Sequence, residues 1–255
     1  MTQNEYERLM TAIMDMGKTM LTCGAEIYRV EDTITRLIKA YGGTSWQVNA
    51  VPSHILASAT FDGREYSLMR RIDQSETDLE LLHRVNDLSR RICSEKPSPE
   101  RIQQMLEKAR NGKKYTDIQL SLIYALTGGM FTMFFGGIWR DALVSAFTSG
   151  SLYWVRRLIL KNGGNRVFVA LLCSAYAALL TKLLVYAGIG MDADKIIIGI
   201  VMVLIPGVEM LNGLRDFSVG DIQAGLMHLG EALFLGVIIA AGAAGMLMLV
   251  GSFGV

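Results

Sequence analysis

The distribution of charge along the 255 residues divides the chain into two regions of different character. Residues 1–115 carry 17 Lys and Arg and 16 Asp and Glu, whereas the 140 residues from 116 to 255 carry only 8 and 8. A water-soluble domain needs polar side chains that recur along every element, and the second region lacks them over long runs. The sequence therefore predicts a polar N-terminal domain over 1–115 and a membrane domain over 116–255.

Composition excludes several classes of function. A formal net charge of +1 provides no basic surface for nucleic acid. The three cysteines are odd in number and far apart, which argues against a disulfide framework or a thiolate zinc site, so no metal or cofactor is predicted. Acidic residues within the first 30 positions argue against a signal peptide, and we expect the N-terminal domain to be cytoplasmic.

Local patterns predict an α+β fold for the N-terminal domain. Apolar residues recur at helical spacing over residues 9–37, a pattern that Gly24 is placed to interrupt. Asp62-Gly63 separates two runs rich in β-branched and aromatic residues, 46–61 and 64–72, which is typical of a β-hairpin. Two further helices complete the expected domain: 76–93, capped by Ser75, and a helix from Ser98-Pro99 to near Gly112.

Five apolar stretches of the second region are candidates for transmembrane helices, since a helix needs about 20 apolar residues to cross ~30 Å of hydrocarbon. They are 118–139, 142–155, 167–187, 196–211 and 232–255, the last with added turns from residue 222. The second stretch, 142–155, is short and can cross the membrane only if the residues on either side of it are included. We expect an all-α membrane domain of about five transmembrane helices in the cell (inner) membrane. Lys and Arg concentrate in the loops on the side of the N-terminal domain, which places the C-terminus outside.

Pro206-Gly207 interrupts the fourth stretch. Proline removes a backbone hydrogen bond and glycine loosens the turn, so backbone groups near 202–208 are freed to bind a ligand. Transporters use such broken helices for substrate binding. The alternative interpretation is a kink that neighbouring helices compensate, followed by an ordinary polar exit at the membrane surface. The polar residues that follow the break are Glu209, Asn212, Arg215 and Asp216.

Two other pairs of polar residues suggest chemistry. His228 and Glu231 share one helical face near the start of the last span, where a buried pair would relay protons and an interfacial pair would not. His54 and Ser58 suggest a hydrolase, but residues four apart on a strand lie ~13 Å apart, too far for a nucleophile and its base. No catalytic residue is therefore predicted.

Several spaced motifs resemble the threonine/serine exporter (ThrE-like) family over nearly the whole chain. In the N-terminal domain the matching segments are 24–26 (Gly-Ala-Glu), 28–31 (Tyr-Arg-Val-Glu), 70–72 (Arg-Arg-Ile) and 85–90 (Val-Asn-Asp-Leu-Ser-Arg). In the membrane domain they are 204–207 (Leu-Ile-Pro-Gly), Asn212, Arg215-Asp216, Gly220-Asp221, Gly225 and Glu231. The length and the number of spans resemble the split, YjjP-type branch, whose large subunit works with a separately encoded small membrane protein.

The resemblance implies a subunit of a secondary exporter for small hydrophilic metabolites, either amino acids such as threonine and serine or a dicarboxylate such as succinate. It implies that a small partner supplies about four further spans. The residues expected to serve substrate binding and transport are Pro206, Gly207, Glu209, Asn212, Arg215, Asp216, Asp221, His228 and Glu231. The proton gradient is the expected driving force, because the chain has no nucleotide-binding loop. Glu209 and His228 depart from the family pattern, where an apolar residue or proline and an arginine are usual, and either change would alter substrate or coupling.

Two other classes of function stay open at this point, as does a homo-oligomeric state. One is a membrane-anchored hydrolase whose N-terminal domain performs the chemistry. An anchor needs only one span, so five spans with a broken helix disfavour it. The other is a regulatory sensor in which the soluble domain binds a metabolite and gates the spans. The sequence therefore favours an exporter subunit that is not an enzyme.

Overall fold

The structure, a computed structural model, describes residues 1–72, 77–112 and 115–252 and consists of helices with one small sheet. It contains two compact units. The first comprises Met1–Lys113 with Val208–Gly230, and the second comprises Lys114–Gly207 with Glu231–Val255. This division is discontinuous in sequence. The boundary near residue 115 rests on charge content, and it stays a prediction about where the membrane domain begins.

The first helical pattern forms two helices with a break at Gly24. Helix α1 (Gln3–Thr22) begins with a capping box, in which the Thr2 hydroxyl accepts from the Glu5 amide and the Glu5 carboxylate accepts from the Thr2 amide. Helix α2 (Ile27–Ala40) follows a short connection in which Gly24 has a φ of +89°. Glycine adopts this conformation without strain, so the predicted interruption is confirmed.

Three antiparallel strands form the sheet of the first unit, in the order β1-β2-β3. Asp62 and Gly63, with φ values of +47° and +77°, form the two-residue turn between β2 and β3, which confirms the predicted hairpin. The run before this turn forms two strands, because the chain reverses at Pro52-Ser53. The strands are β1 (Thr44–Val51), β2 (His54–Phe61) and β3 (Arg64–Arg71).

Two further helices are present in the first unit, close to where they were expected. Helix α3 (Leu79–Glu95) has Asp78 as its N-cap, so the predicted cap at Ser75 is wrong; the carboxylate of Asp78 accepts the amide hydrogen bond that the cap must supply. Ser75 itself lies outside the described residues. Helix α4 (Pro99–Arg110) begins at Ser98 with proline in its first turn, as predicted.

The core of the first unit is built by α1, α2 and β2. Met10, Ile13, Ile34 and Ile55 are fully buried in it. Burial of each such side chain contributes about 1.5–3 kcal/mol. Ala224, from the later segment of the chain, is fully buried in the same core. The segment Val208–Gly230 is therefore an integral part of this unit.

The remaining helices follow the second region of the sequence. The predicted stretch 196–211 is interrupted, because residues 202–206 are not helical and a new helix begins at Gly207. The break predicted at Pro206-Gly207 is thus confirmed. The helices are α5 (Asp117–Phe134), α6 (Trp139–Lys161), α7 (Arg166–Tyr186), α8 (Ala193–Val201), α9 (Gly207–Ser218) and α10 (Ile222–Ser252).

Two helices of the described chain, α7 and α10, are long and apolar enough to cross a membrane. Only 33% and 17% of the residues in their most apolar windows are buried, so most of these side chains are at least partly exposed. The core helix of a soluble protein would instead bury them. Two candidate spans are shown in this way, and the predicted number of five stays a proposal.

Candidate functional site

Helix α9 and the start of α10 form a helical hairpin in the first unit. Gly220 turns the chain with a φ of +90°, and Asp221 caps α10 by accepting from the Ala224 amide at 3.0 Å. The two helices approach closely where glycines face each other. A Cβ atom on Gly213 would lie only 3.2 Å from the carbonyl oxygen of Gly225. This close approach brings the side chains of α9 against those of α10.

Asp216 and His228 form a buried pair across this hairpin. His228 Nδ1 lies 2.8 Å from Asp216 Oδ2. Asp216 is 0% exposed and His228 is 7% exposed. The other carboxylate oxygen, Oδ1, is also buried and has no hydrogen-bond partner within the described part of the chain. Buried polar atoms are nearly always hydrogen-bonded, so this oxygen is an unused acceptor that a ligand or a proton can satisfy.

The surroundings of Asp216 favour its protonated form. Burial raises the pKa of its carboxyl group, because a low-dielectric interior disfavours the charged state. The hydrogen bond with His228 lowers this pKa, whereas the nearby carboxylates of Asp221 and Glu26 raise it. A carboxyl group with a raised pKa takes up a proton more readily than an exposed aspartate does. The arrangement is suited to reversible proton binding.

Asn212 and Arg215 connect α9 to the break between α1 and α2. The buried Asn212 amide donates to the Gly24 carbonyl oxygen at 3.1 Å. Arg215 forms an ion pair with Glu26, donates to the Tyr28 hydroxyl at 2.7 Å and lies over the Tyr28 ring at 5.3 Å from its centroid. Two predicted site residues of α9, Asn212 and Arg215, are therefore held against the N-terminal part of this unit.

The other predicted site residues have different surroundings. Glu209 is half-buried in the first turn of α9. Glu231 belongs to the second unit, where it pairs with Arg166 at 2.7 Å rather than with the histidine one turn earlier. Pro206 is buried and Gly207 begins α9, and both belong to the second unit.

Three residues that lie near Arg215 or Asp221 were not predicted as site residues. Glu26 and Tyr28 bind Arg215, and Glu31 accepts from the Ala50 amide at 2.8 Å. Burial raises the pKa of Glu31, and the nearby Asp221 raises it further. All three lie in segments that resemble the exporter family, and that resemblance was the available signal.

The second unit contains a buried carboxylate, that of Asp141, in the first turn of α6. Asp141 is 1% exposed, and its Oδ1 accepts from the amides of Met191 at 2.8 Å and Asp192 at 3.2 Å. Its Oδ2 accepts from the Ile138 amide at 3.2 Å. A carboxylate satisfied by backbone amides in this way stabilises the start of α6 and the loop before α8.

The second unit also buries hydroxyl groups that have no hydrogen-bond partner among the described residues. Two of them, on Ser145 and Ser149, lie on α6 opposite Gly128 of α5, where a Cβ would contact Ser145 Oγ at 3.2 Å. Buried hydroxyl groups without a hydrogen-bond partner are uncommon in proteins. The full set is Ser145, Thr148, Ser149 and Thr181.

Comparison with known proteins identifies relatives that match most of the chain. The profile of the ThrE family, described as "Putative threonine/serine exporter", matches residues 11–250. A Mycobacterium tuberculosis protein named "Probable threonine/serine exporter" is 26% identical over 233 residues, which are 89% of this chain but 43% of that protein. An Escherichia coli protein named "Probable succinate transporter subunit YjjP" is 23% identical over 249 residues, 91% of each chain. No solved structure shows significant similarity.

The family match includes α9, the hairpin and the α1–α2 break, so the network around Asp216 lies within the part shared with the family. The chain spans less than half the length of the mycobacterial relative and nearly all of the Escherichia coli relative. A match over residues 11–250 of 255 is decisive for classification. The chain belongs to the ThrE family.

Proposed function

We propose that this protein is the large subunit of a secondary exporter that moves small hydrophilic metabolites out of the cell. Membership of the ThrE family supports export. The names of the two relatives support two substrate types, threonine or serine in one case and succinate in the other. The word "subunit" in the name of the Escherichia coli relative, and the 43% coverage of the mycobacterial one, support a second component.

The proposed membrane arrangement has five spans, with the N-terminal domain in the cytoplasm and the C-terminus outside. The ion pair between Asp117 and Arg157 supports it, because this pair joins the start of α5 to the end of α6, as antiparallel spans require. Lys161 ends α6 and Arg166 begins α7, so both flank the loop between these helices, whereas the loop before α8 carries Asp192. This asymmetry agrees with the positive-inside rule.

The observation that carries the proposal is the buried Asp216–His228 pair with its unused carboxylate oxygen. An exporter driven by the proton gradient must bind a proton and its substrate in alternation. A proton neutralises the Asp216 carboxylate in one state, and the ammonium group of an amino acid satisfies Oδ1 in the other. In the proposed orientation this site belongs to the cytoplasmic side, where an exported substrate enters.

Neighbouring groups supply the other contacts that a small substrate needs. Arg215 is the cation nearest to this pair in sequence and attracts a substrate carboxylate once Glu26 releases it. Asn212 both donates and accepts hydrogen bonds. Within the second unit, the hydroxyls of Ser145, Thr148, Ser149 and Thr181 have no hydrogen-bond partner among the described residues and are separate candidates for substrate contacts.

Efflux from membrane vesicles tests the proposal. Vesicles loaded with labelled threonine or succinate are prepared from cells that express this chain alone or with a partner of about four spans. We expect efflux only with the partner, and loss of efflux when a protonophore collapses the pH gradient. Efflux by the chain alone would contradict the requirement for a partner.

Variants then test the site. Asp216→Asn, Arg215→Ala and Pro206→Ala should each abolish or strongly impair efflux at normal membrane levels. Asp194→Asn removes an exposed carboxylate on α8 and is the matched control, with no expected effect. Wild-type efflux from all three variants would place the transport site elsewhere.

A hydrolase in the N-terminal domain is the weaker alternative. His54 Nδ1 lies 3.1 Å from the hydroxyl of its neighbour Ser53, on the exposed end of β2, and Ser58 pairs across the sheet with Ser67. Within the described residues no third group orients His54 as a catalytic base requires. Ester or peptide hydrolysis by the purified protein that is lost in His54→Ala would revive this alternative.

A further inference from the structure

A cavity of about 220 Å³ opens between α2 and α3, in a part of the first unit that the proposed transport site does not use. Thr33 and Arg36 of α2 and Ser89, Arg90 and Cys93 of α3 line it. Cavities that bind drug-sized molecules have volumes of roughly 300–1,000 Å³. This smaller cavity suits a metabolite with few heavy atoms.

Each helix contributes one hydroxyl and one guanidinium group to the cavity. Thr33 and Ser89 are 2% and 3% exposed, so their hydroxyls lie at the base. Arg36 and Arg90 are exposed, so their guanidinium groups lie at the opening. The Ser89 hydroxyl donates to the Asn86 carbonyl oxygen at 2.7 Å, so the Thr33 hydroxyl is the side-chain donor that an anion meets below the two arginines.

The described residues that line the cavity include two arginines and no acidic residue. Arg36 pairs with Asp32 at 2.8 Å, but both side chains are about half exposed, and such surface pairs contribute little and exchange readily. Arg90 has no ion pair within the described residues. Burial raises the pKa of the Cys93 thiol above its ordinary value, so the thiol is neutral at physiological pH.

We propose that this cavity binds a small dicarboxylate anion between Arg36 and Arg90. A guanidinium group presents paired N–H donors that match a carboxylate, and two such groups on facing helices match two carboxylates. Arg36 lies ten residues after Glu26, about 15 Å further along α2, so this is a second site and not part of the Asp216 network. The inference does not depend on the protein being an exporter.

The thiol of Cys93 provides a local readout of occupancy. Cys93 is partly exposed, whereas Cys23 and Cys173 are buried, so alkylation of the folded full-length protein in detergent should modify Cys93 first. We expect succinate to slow alkylation of Cys93, measured by peptide mass spectrometry, with a saturable concentration dependence. Threonine, which has no net charge, should protect at least 10-fold less well.

Substitutions at the opening locate the binding. Arg90→Gln should raise the half-protecting succinate concentration at least 10-fold, and Arg36→Gln should have a similar effect. Arg91→Gln removes the same charge from the adjacent exposed residue and should leave protection unchanged. Absence of protection, equal loss in Arg91→Gln, or protection by inorganic phosphate at lower concentration than by succinate would overturn the proposal.

Discussion

Asp216 and His228 are twelve residues apart in sequence, yet Oδ2 of one lies 2.8 Å from Nδ1 of the other because Gly213 and Gly225 let their helices approach. The turn at Gly220 reverses the chain, and the Asp221 cap fixes where α10 begins. These local features set the distance between the two side chains. The pair can therefore be tested by substituting Asp216 itself and by substituting a glycine that positions the two helices.

Replacing Asp216 by asparagine should stabilise the protein at alkaline pH while it abolishes export. Burial raises the carboxyl pKa in the folded state above its unfolded value, so the folded state binds the proton more tightly. The stability contributed by this group is present at low pH and is lost as the pH rises through the folded pKa. The melting temperature of the wild type should therefore fall relative to that of Asp216→Asn as the pH rises from the ordinary aspartate pKa through the raised pKa of Asp216.

Asp194→Asn is the control for this comparison, because it removes an exposed carboxylate from α8. Its melting temperature should follow the wild type across the pH range. A pH dependence of Asp216→Asn identical to that of the wild type would show that Asp216 is already charged, without cost, in the folded protein.

Gly213→Ala should separate α9 from α10 and impair export. The new Cβ atom would lie 2.8 Å from Leu229 Cγ and 3.2 Å from the Gly225 carbonyl oxygen, so one helix must move. Overpacking of this kind costs about 1–3 kcal/mol. Thermal unfolding and vesicle efflux measure the two effects.

Gly236→Ala is the matched helical control, since no heavy atom lies within 4 Å of a Cβ at this position of α10. It should leave efflux unchanged and keep or slightly raise the melting temperature, because alanine favours the helix. Equal efflux and equal melting temperatures for the two alanine variants would mean that the close approach at Gly213 is not needed for export or stability.

Asn212→Ala should destabilise the first unit. It removes the hydrogen bond that the buried Asn212 side chain donates to the Gly24 carbonyl oxygen, and a hydrogen bond of this kind contributes about 0.5–1.5 kcal/mol. Chemical denaturation would show a lower midpoint for this variant. Gln103→Ala, at an exposed position of α4, should unfold at the wild-type midpoint; equal midpoints for all three proteins would mean that the Gly24 contact contributes nothing.

A reporter fused after the last residue should be active outside the cell and silent in the cytoplasm. Five spans from a cytoplasmic N-terminal domain require this location. An alkaline phosphatase fusion and a fluorescent-protein fusion report the two sides. Cytoplasmic activity would mean an even number of spans, with 142–155 the first stretch to be removed.

The sequence predicts those elements whose signals are local. Asp62-Gly63 and Ser98-Pro99 determine a turn and a helix start within a few residues, and Gly24 and Pro206 end helices for backbone reasons. The cap of α3 was misplaced by three residues because Ser75 and Asp78 are both good capping residues. Only the position of the first helical turn decides between them.

The candidate site was predicted in part for a similar reason. Asn212, Arg215 and Asp216 are polar residues beside an apolar run, and that contrast is visible in sequence. The partners of these residues lie elsewhere in the chain. Arg215 pairs with Glu26, and Asp216 binds His228. Glu231 pairs with Arg166 and not with His228. Spacing along one helix could not identify partners that tertiary packing selects.

The burial of Ala224 in the N-terminal core has a consequence for the order in which the protein is assembled. The ribosome adds more than 100 residues between Asn111 and Ala224. At about 5–20 residues per second this synthesis takes roughly 5–20 s. During that time the N-terminal segment waits with part of its apolar surface uncovered. Biogenesis of this protein therefore includes an interval in which a chaperone, or the translocation machinery itself, has a surface to hold.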